Sequence, residues 1–557
     1  MRRIASLLFF APVLVLASQG CALDLCTDFP GVCDPAGQGG SGGGSTTTTG
    51  TSGGGTGGAT GGGGEGGGVI IPTECDPREA GPTATIPDTC GVFIDTSRTT
   101  GPFSGTKAAP FNDFALINHP DNAGVQLFYV CATPNGAPID EQLVIERSAV
   151  IFGGFVDCTN WTVPAADAVE RTAWTAPQHE IPAVVRGAGV SVLLSRFAIE
   201  SRNADGFDPT TLQGRSSVGM WVEDASVELI DSSVTAGAGA PGGSAQALAE
   251  LQAPGANTAP TEFRGFDGAG CGGTPGMSRS FSCPNGGGVT TGGAGGQGQQ
   301  DNGAAGVGGT PFITVGFGSP GNGDSGAGGW TCANGGGNGG IGAEGSAGQD
   351  GSGGTELGEI GSSSGMGLFH LNSRGGSGLP GGRGQGGGGG GGRRGNGLNG
   401  CASAQSGPSG SGGGAGGCGG LGASGGGAGG SSVAIIALDA SLTLLASTVV
   451  AGSGGVGGAG AEGQFGGQGG SSGAAVGTPV ASCVGGAGGN GGNGGNGGGG
   501  RGGASIGLAY VGASAPAVSP DAITVAAAAA AGGNHGGATG NPGAEGLREK
   551  IQEFPSP

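Results

Sequence analysis

Two stretches decide the fold: Ser216 to Gly237, SSVGMWVEDASVELIDSSVTAG, and Ser431 to Gly452, SSVAIIALDASLTLLASTVVAG. They align without a gap over 22 residues, with 11 identities. A shorter copy, ASIGLAYVGAS, begins at Ala504, and a partial one lies upstream around Val192, Leu194 and Ile199. Stacking the copies gives ladders of like residues: Val218, Val433, Ile506; Met220, Ile435, Leu508; Val192, Val227, Leu442; Leu194, Leu229, Leu444; and Ile199, Val234, Val449. Period-two alternation places these ladders on one face of each strand. Equivalent strands stacked rung on rung form a parallel β-helix with the ladders inside; an internally duplicated β-sandwich is the competing arrangement. The solenoid is favoured because each coil contacts only its neighbours, so a long insertion at a corner is tolerated.

Outward from the repeats the composition changes abruptly. Glycine supplies 146 of 557 residues, while only 5% are aromatic and 11% charged, so no core can run the length of the chain. The apolar residues gather in short β-branched runs such as Val92-Phe93-Ile94, Val125–Val130, Leu143-Val144-Ile145, Val150-Ile151-Phe152 and Val190–Leu194, bounded by turn residues. The expected layout is a leader at 1–20, a Gly/Ser/Thr-rich tether at 21–68 and an N-terminal β-helix part at 69–236. A glycine-rich insertion (237–430), one coil (431–451), a second insertion (452–503) and a C-terminal coil and tail (504–557) follow. The run GGNGGNGGNGGGG from Gly488 has the three-residue period of a polyproline II helix, so packed polyglycine bundles and plain disorder both fit the insertions. The collagen G-X-Y period and the aspartate of calcium-binding nonapeptide repeats are missing there.

The N-terminus reads as an export signal: Arg2 and Arg3, then the short apolar run Ile4–Leu16, then Ala17-Ser18-Gln19-Gly20 before Cys21. This fits a bacterial lipoprotein signal with Cys21 as the lipidated residue, although Ser18 stands where leucine is usual. The alternative is ordinary cleavage near Cys21 and secretion. There are 13 cysteines, an odd number that lipidation of Cys21 turns into twelve. The others are Cys26, Cys33, Cys75, Cys90, Cys131, Cys158, Cys271, Cys283, Cys332, Cys401, Cys418 and Cys483. Local pairing suggests Cys26–Cys33, Cys75–Cys90, Cys131–Cys158, Cys271–Cys283 and Cys401–Cys418, leaving Cys332 and Cys483 to bridge the two glycine-rich regions.

Chemistry is sparse. A net charge of −20 argues against nucleic acid as a partner, despite Arg383, Arg393 and Arg394 set among glycines in the manner of an RGG segment. Gly323-Asp324-Ser325-Gly326 imitates a protease nucleophile motif, a match expected by chance at this glycine content. Carbohydrate-active β-helices need clustered carboxylates, and the candidates are Asp205, Asp208, Glu223, Asp224, Glu228 and Asp231. Glu223 becomes Leu438 and Asp231 becomes Ala446 in the next copy, so the acids read as a solvated outer face rather than a stacked site. His119, His179, His370 and His535 are scattered, and with no CxxC pair no metal site is expected.

Gly105-Thr106-Lys107-Ala108-Ala109-Pro110-Phe111 resembles the GTKxxPF segment of bacterial right-handed β-helix proteins. Val150-Ile151-Phe152-Gly153-Gly154-Phe155, followed by Asp157-Cys158-Thr159-Asn160-Trp161, resembles a stretch of glycine-rich (PGRS-like) surface lipoproteins of myxobacteria. Gly328-Gly329-Trp330-Thr331-Cys332 and Gly502-Gly503-Ala504-Ser505-Ile506-Gly507 are similar to that group as well. One departure is Asn112-Asp113-Phe114, where the β-helix proteins usually have a small residue, Thr and Leu. The resemblance implies an all-β, pectate-lyase-like right-handed β-helix and an outer-membrane or cell-surface location. It carries no catalytic residues and no cofactor. The expected partners are a membrane, through the lipid on Cys21, and extracellular polysaccharide or other surface proteins. The expected role is structural or adhesive, with a carbohydrate-active β-helix (polysaccharide binding, lyase or hydrolase) as the alternative.

Overall fold

The repeat copies lie side by side in parallel, in the register their alignment gives. The computed structural model describes residues 71–555 apart from 82, 123, 132–137, 156, 164–169, 251, 256–259, 285, 357–372, 479 and 513–515. The leader, Cys21, Cys26, Cys33, the tether and His370 therefore lie outside the described residues. The frame strands are β1 (Val92–Ile94), β2 (Leu127–Cys131), β3 (Ile139–Asp140), β4 (Leu143–Ile145), β5 (Ala149–Phe155), β6 (Thr172–Thr175), β7 (Ala183–Ser195) and β8 (Phe197–Glu200). They continue as β9 (Ser217–Ile230), β10 (Ser233–Ala236), β11 (Ser432–Leu438), β12 (Ser441–Leu445), β13 (Thr448–Ala451), β14 (Ser505–Val511), β15 (Ile523–Thr524) and β16 (Arg548–Glu553). One sheet runs β1-β2-β5-β7-β9-β11-β14-β16, with β4 also on β7 and β12 also on β9. The second runs β15-β13-β10-β8-β6-β3. Every strand pairing in these two sheets is parallel. Among the described residues, no helix is long and apolar enough to cross a membrane.

The ladders stand. Val227 faces Val192 and Leu442, Leu229 faces Leu194 and Leu444, Val234 faces Ile199 and Val449, and Ile435 faces Met220 and Leu508. All join one central core, with Leu444 at its edge. The ladder of Val218, Val433 and Ile506 also pairs in register, but it packs into a separate cluster with Ile436, Leu438, Val511 and Phe554. The single-face expectation fails there because the pairing skips Gly219, Ala434 and Gly507. A Cβ on Gly219 would meet the Ala434 carbonyl and Val234, and one on Gly507 would meet Ile523. The second sheet comes so close at this level that each copy keeps a small residue.

Corners repeat as faithfully as strands. The chain leaves β7, β9 and β12 through Arg196, Asp231 and Ala446, at φ of 60°, 48° and 49°, and bends at Asp224 and Asp439, at 51° and 46°. Aspartate tolerates this left-handed conformation better than most residues, which accounts for Asp224 and Asp231 without a catalytic role. The serines beside the corner tie successive rungs: Ser447 Oγ accepts from Ser232 N at 3.0 Å, and Ser232 Oγ from Phe197 N at 3.1 Å.

The N-terminal part adds a small core of its own on the other side of the first sheet. Trp161 lies fully buried against Phe93 and Phe155, with the disulfides Cys75–Cys90 and Cys131–Cys158 at its margin. Asn112-Asp113-Phe114 serves the central core instead: Asp113 caps the short 3-10 helix Phe114–Asn118, and Phe114 packs edge-on against Trp174 with ring centroids 4.9 Å apart.

The described residues of both insertions are joined by regular backbone hydrogen bonds. Amides of Gly339, Gly342, Gly345, Gly348 and Gly351 donate to the carbonyls of Val484, Ala487, Asn490, Asn493 and Asn496. On another side of that segment, the amides of Gly486, Gly489, Gly492 and Gly495 donate to Gly388, Gln385, Gly382 and Leu379. On a third, those of Gly488, Gly491, Gly494 and Gly497 donate to Gly470, Gly467, Gln464 and Ala461. The spacing is three residues, the period of a polyproline II helix rather than of a strand. This satisfies backbone groups that would otherwise be buried unpaired. In each Gly-Gly-Asn unit the glycines face neighbours, and the asparagine faces outward. Asn490, Asn493 and Asn496 Oδ1 then accept from Gly469, Gly466 and Gly463 N at 2.9–3.0 Å.

The bundle starts from the frame's own corner. Gly239 and Gly242, after β10, donate to Ser453 and Val456, after β13, and a third glycine-bearing segment follows β15. Frame and glycine segments form one compact unit, Gly66–Pro557. Three disulfides cross the bundle: Cys271–Cys401, Cys283–Cys418 and Cys332–Cys483. The last joins the two insertions as expected, whereas the local pairs Cys271–Cys283 and Cys401–Cys418 are wrong. The hydrogen bonds Gly276 N to Gly410 O and Ala415 N to Phe263 O lay 263–276 against 410–415, so each cysteine meets a distant partner.

Candidate functional site

A cleft of about 420 Å³ opens where the segment linking β8 to β9 crosses the turn between β6 and β7. Its walls include Gln142, His179, Arg202, Asp208, Arg215 and Ser217. The floor is a hydroxyl pair, Ser201 Oγ to Ser217 Oγ at 2.7 Å, and Ser217 Oγ also donates to Arg202 O at 2.8 Å. Arg202 Nη2 reaches Asp140 Oδ2 at 2.7 Å, so β3 fixes the guanidinium from beyond the intervening β6. His179 sits at φ 72° with Nε2 3.0 Å from Asp205 Oδ1, and Gln178 Nε2 donates to Asn203 O at 2.6 Å. Asp208 Oδ1 accepts from Thr211 N at 3.0 Å and Thr210 N at 2.7 Å, and these amides hold its carboxyl below the usual range. The result is a cleft of mixed apolar and polar walls with fixed donors and one carboxylate kept ionised, suited to hydroxyl- or carboxylate-bearing ligands.

Of the acids singled out in the sequence, only Asp208 lines this cleft, with Asp205 beside it on His179. Glu223 accepts from Trp221 Nε1 at 3.2 Å on β9, and Asp224 and Asp231 are corner residues. Glu228 lies on β9, paired with Leu193 and Thr443. His119 faces Asp121 at 3.5 Å, and His535 Nδ1 lies 3.1 Å from Gly536 O. Among the described residues, no three metal-ligating side chains cluster. The arginines set among glycines are structural. Arg383 donates to Gly287 O at 3.0 Å, and Arg394 to Gly326 O at 2.6 Å. Arg393 is buried over Trp330, 5.6 Å from the ring centroid, and donates to Asn399 Oδ1 at 3.1 Å. Asp324 of the protease-like tetrad is itself buried, its carboxylate accepting from Gly326 N and Arg394 N. Sequence reasoning missed Arg202, Arg215 and Gln142 as cleft residues. The available signal was the polar stretch 201–216 that separates two strand copies. Comparison with family models, with curated proteins and with solved structures gives no match.

Proposed function

We propose that this chain is an exported surface lipoprotein, anchored in the outer membrane through Cys21, with a structural or adhesive role. In this reading the parallel sheets are faces of a right-handed β-helix of the pectate-lyase-like kind, with the glycine segments beside it as a bundle of polyproline II-type helices. The chain would then stand with the glycine-rich surface lipoproteins it resembles. The β-helix is supported by rungs that feed both sheets in one order and turn at equivalent left-handed corners. The observation that carries the role is the bundle. Its described glycine segments are joined by repeated backbone hydrogen bonds and crossed by three disulfides, which would make it a stiff body. The test is intact-mass analysis of the mature N-terminus together with membrane fractionation. Cys21 should be the first residue and carry a diacylglycerol, and a purely soluble wild-type protein would refute the anchor.

The cleft favours a second reading, recognition or processing of polysaccharide. Binding and turnover on a panel of acidic polysaccharides, with and without calcium, separate the two. An Arg202→Ala, Arg215→Ala double variant should lose any such binding, and no binding by the wild type across the panel would end this alternative.

A further inference from the structure

Apolar side chains in the glycine bundle are disposed in two ways. Trp330 is folded back over Gly335 and Gly337 and lies under Arg393. The turn after Gly309 does the opposite. Phe312-Ile313-Thr314-Val315-Gly316-Phe317 carries four large apolar side chains, all exposed, with Phe312 at 71% and Val315 at 83%. Two more lie on the segments that border it: Val307 precedes the turn, and Ile341 accepts from Gly318 N at 2.7 Å through its carbonyl. Both are exposed. From Asn302 to Gly323 there is no charged residue, in a chain whose net charge is −20.

The turn is also held at its neck. Gly309 N donates to Gly318 O at 2.8 Å. Below that bond the fully buried Gln385 sends Nε2 to Phe317 O at 3.1 Å and to Gly309 O at 3.4 Å. A buried amide that clamps both sides of a turn fixes what the turn presents. Exposed apolar side chains occurring singly need no explanation, but a contiguous uncharged group on a fixed projection marks a contact surface.

We propose that the 310–318 turn is a membrane-contact wedge, which places Phe312, Ile313, Val315 and Phe317 in the headgroup–acyl boundary of an uncharged lipid surface. The turn's own segment offers no charge for a protein partner to pair with, and its composition suits an interfacial anchor. The acidic chain directs it to zwitterionic rather than anionic lipid. The proposal rests on the reading that the protein works at a membrane surface, and it adds a second, non-covalent attachment.

The mature chain beginning at Ala22, made without the leader and oxidised, tests the wedge independently of any lipid on Cys21. It is floated with phosphatidylcholine vesicles and, separately, with phosphatidylcholine–phosphatidylglycerol vesicles. The wild type should float with the first and less with the second. A Phe312→Ser, Val315→Ser, Phe317→Ser variant should partition at least about tenfold less, while Val456→Ser, Phe465→Ser, exposed elsewhere on the bundle, should float like the wild type. An unchanged disulfide map shows that the triple variant is folded. No flotation of the wild type, or flotation unaffected by the triple change, overturns the wedge. So does a dimer in solution that the triple change abolishes, since the turn would then serve a second copy of the chain. Failure to find lipid on Cys21 is a separate result and refutes the covalent anchor alone.

Discussion

Replacing Gly491 by alanine tests whether the glycine segments are a packed solid or a loose insertion. Gly491 N donates to Gly467 O at 2.8 Å, and an added Cβ would fall inside the van der Waals radius of the Cys418 carbonyl group. The obstacle is backbone, and Cys418 is tied to Cys283, so no rotamer change relieves it. Overpacking of this kind costs about 1–3 kcal/mol. Against it, alanine restricts the unfolded chain and stabilises by about 0.4–1 kcal/mol. The net is a loss of about 1–2 kcal/mol, a factor of about 5–30 in the local opening equilibrium. Gly328 is the control, because an added Cβ there meets nothing within 4 Å, so Gly328→Ala should be neutral or slightly stabilising. The assay is hydrogen exchange by mass spectrometry on peptides covering 484–503, with thermal unfolding under non-reducing conditions beside it. Gly491→Ala should speed exchange about 5- to 30-fold, and Gly328→Ala should not. If the two variants behave alike, the packing account of the glycine is refuted.

Three further outcomes follow from the geometry. Peptide mapping without reduction should recover Cys271–Cys401 and Cys283–Cys418, bridges spanning 130 and 135 residues. Each restrains the unfolded chain by about 5 kcal/mol in the chain-entropy account, and recovery of Cys271–Cys283 would contradict the fold of the bundle. Burial, reinforced by the charge of Asp113, pushes the Glu141 carboxyl up to about 7. The folded state then binds the proton more tightly than the unfolded one, so its contribution is full below the ordinary carboxyl range and is lost as pH rises through 7. Glu141→Gln should therefore flatten the fall in melting temperature between pH 5 and pH 8, by on the order of 1 kcal/mol once partial exposure is allowed for; an unchanged slope would remove Glu141 from the account. Asn493→Ala leaves Gly466 N without its acceptor, and should cost about 1 kcal/mol, read as faster exchange at 463–469.

The frame was legible because the sequence repeats itself where the structure repeats itself. The ladders through Leu229 and Val234 could be read off one alignment, register included. What misled was the assumption of strict alternation between Val218 and Met220. The small residue shared by the copies, Gly219, Ala434 and Gly507, marks where the second sheet approaches, and pattern alone gives it no weight. The disulfides were legible only where the partners are near in sequence or left over by elimination. Cys283 meets Cys418 because glycine segments with no side-chain pattern lie in a particular register. Glycine carries no hydrophobic signature to announce such a register. The cleft was half visible. Asp205 and Asp208 stood out as acids, while Arg202 and Asp140 meet only across the intervening strand β6.

The three-residue hydrogen-bond period has a consequence for how this protein can change over evolutionary time. Each bundle segment presents successive residues to different neighbours in rotation, and Gly-Gly-Asn keeps glycine on the crowded sides. Losing one residue from such a segment turns every later asparagine inward and one glycine of every later pair outward. Losing three shortens the segment by one turn and leaves every face as it was. A frame strand obeys a different arithmetic, since its faces alternate in twos. Length variation among related chains should therefore fall in multiples of three within the glycine segments and avoid single steps in the strands. The insertions that look least constrained in composition are thus held to a reading frame of their own.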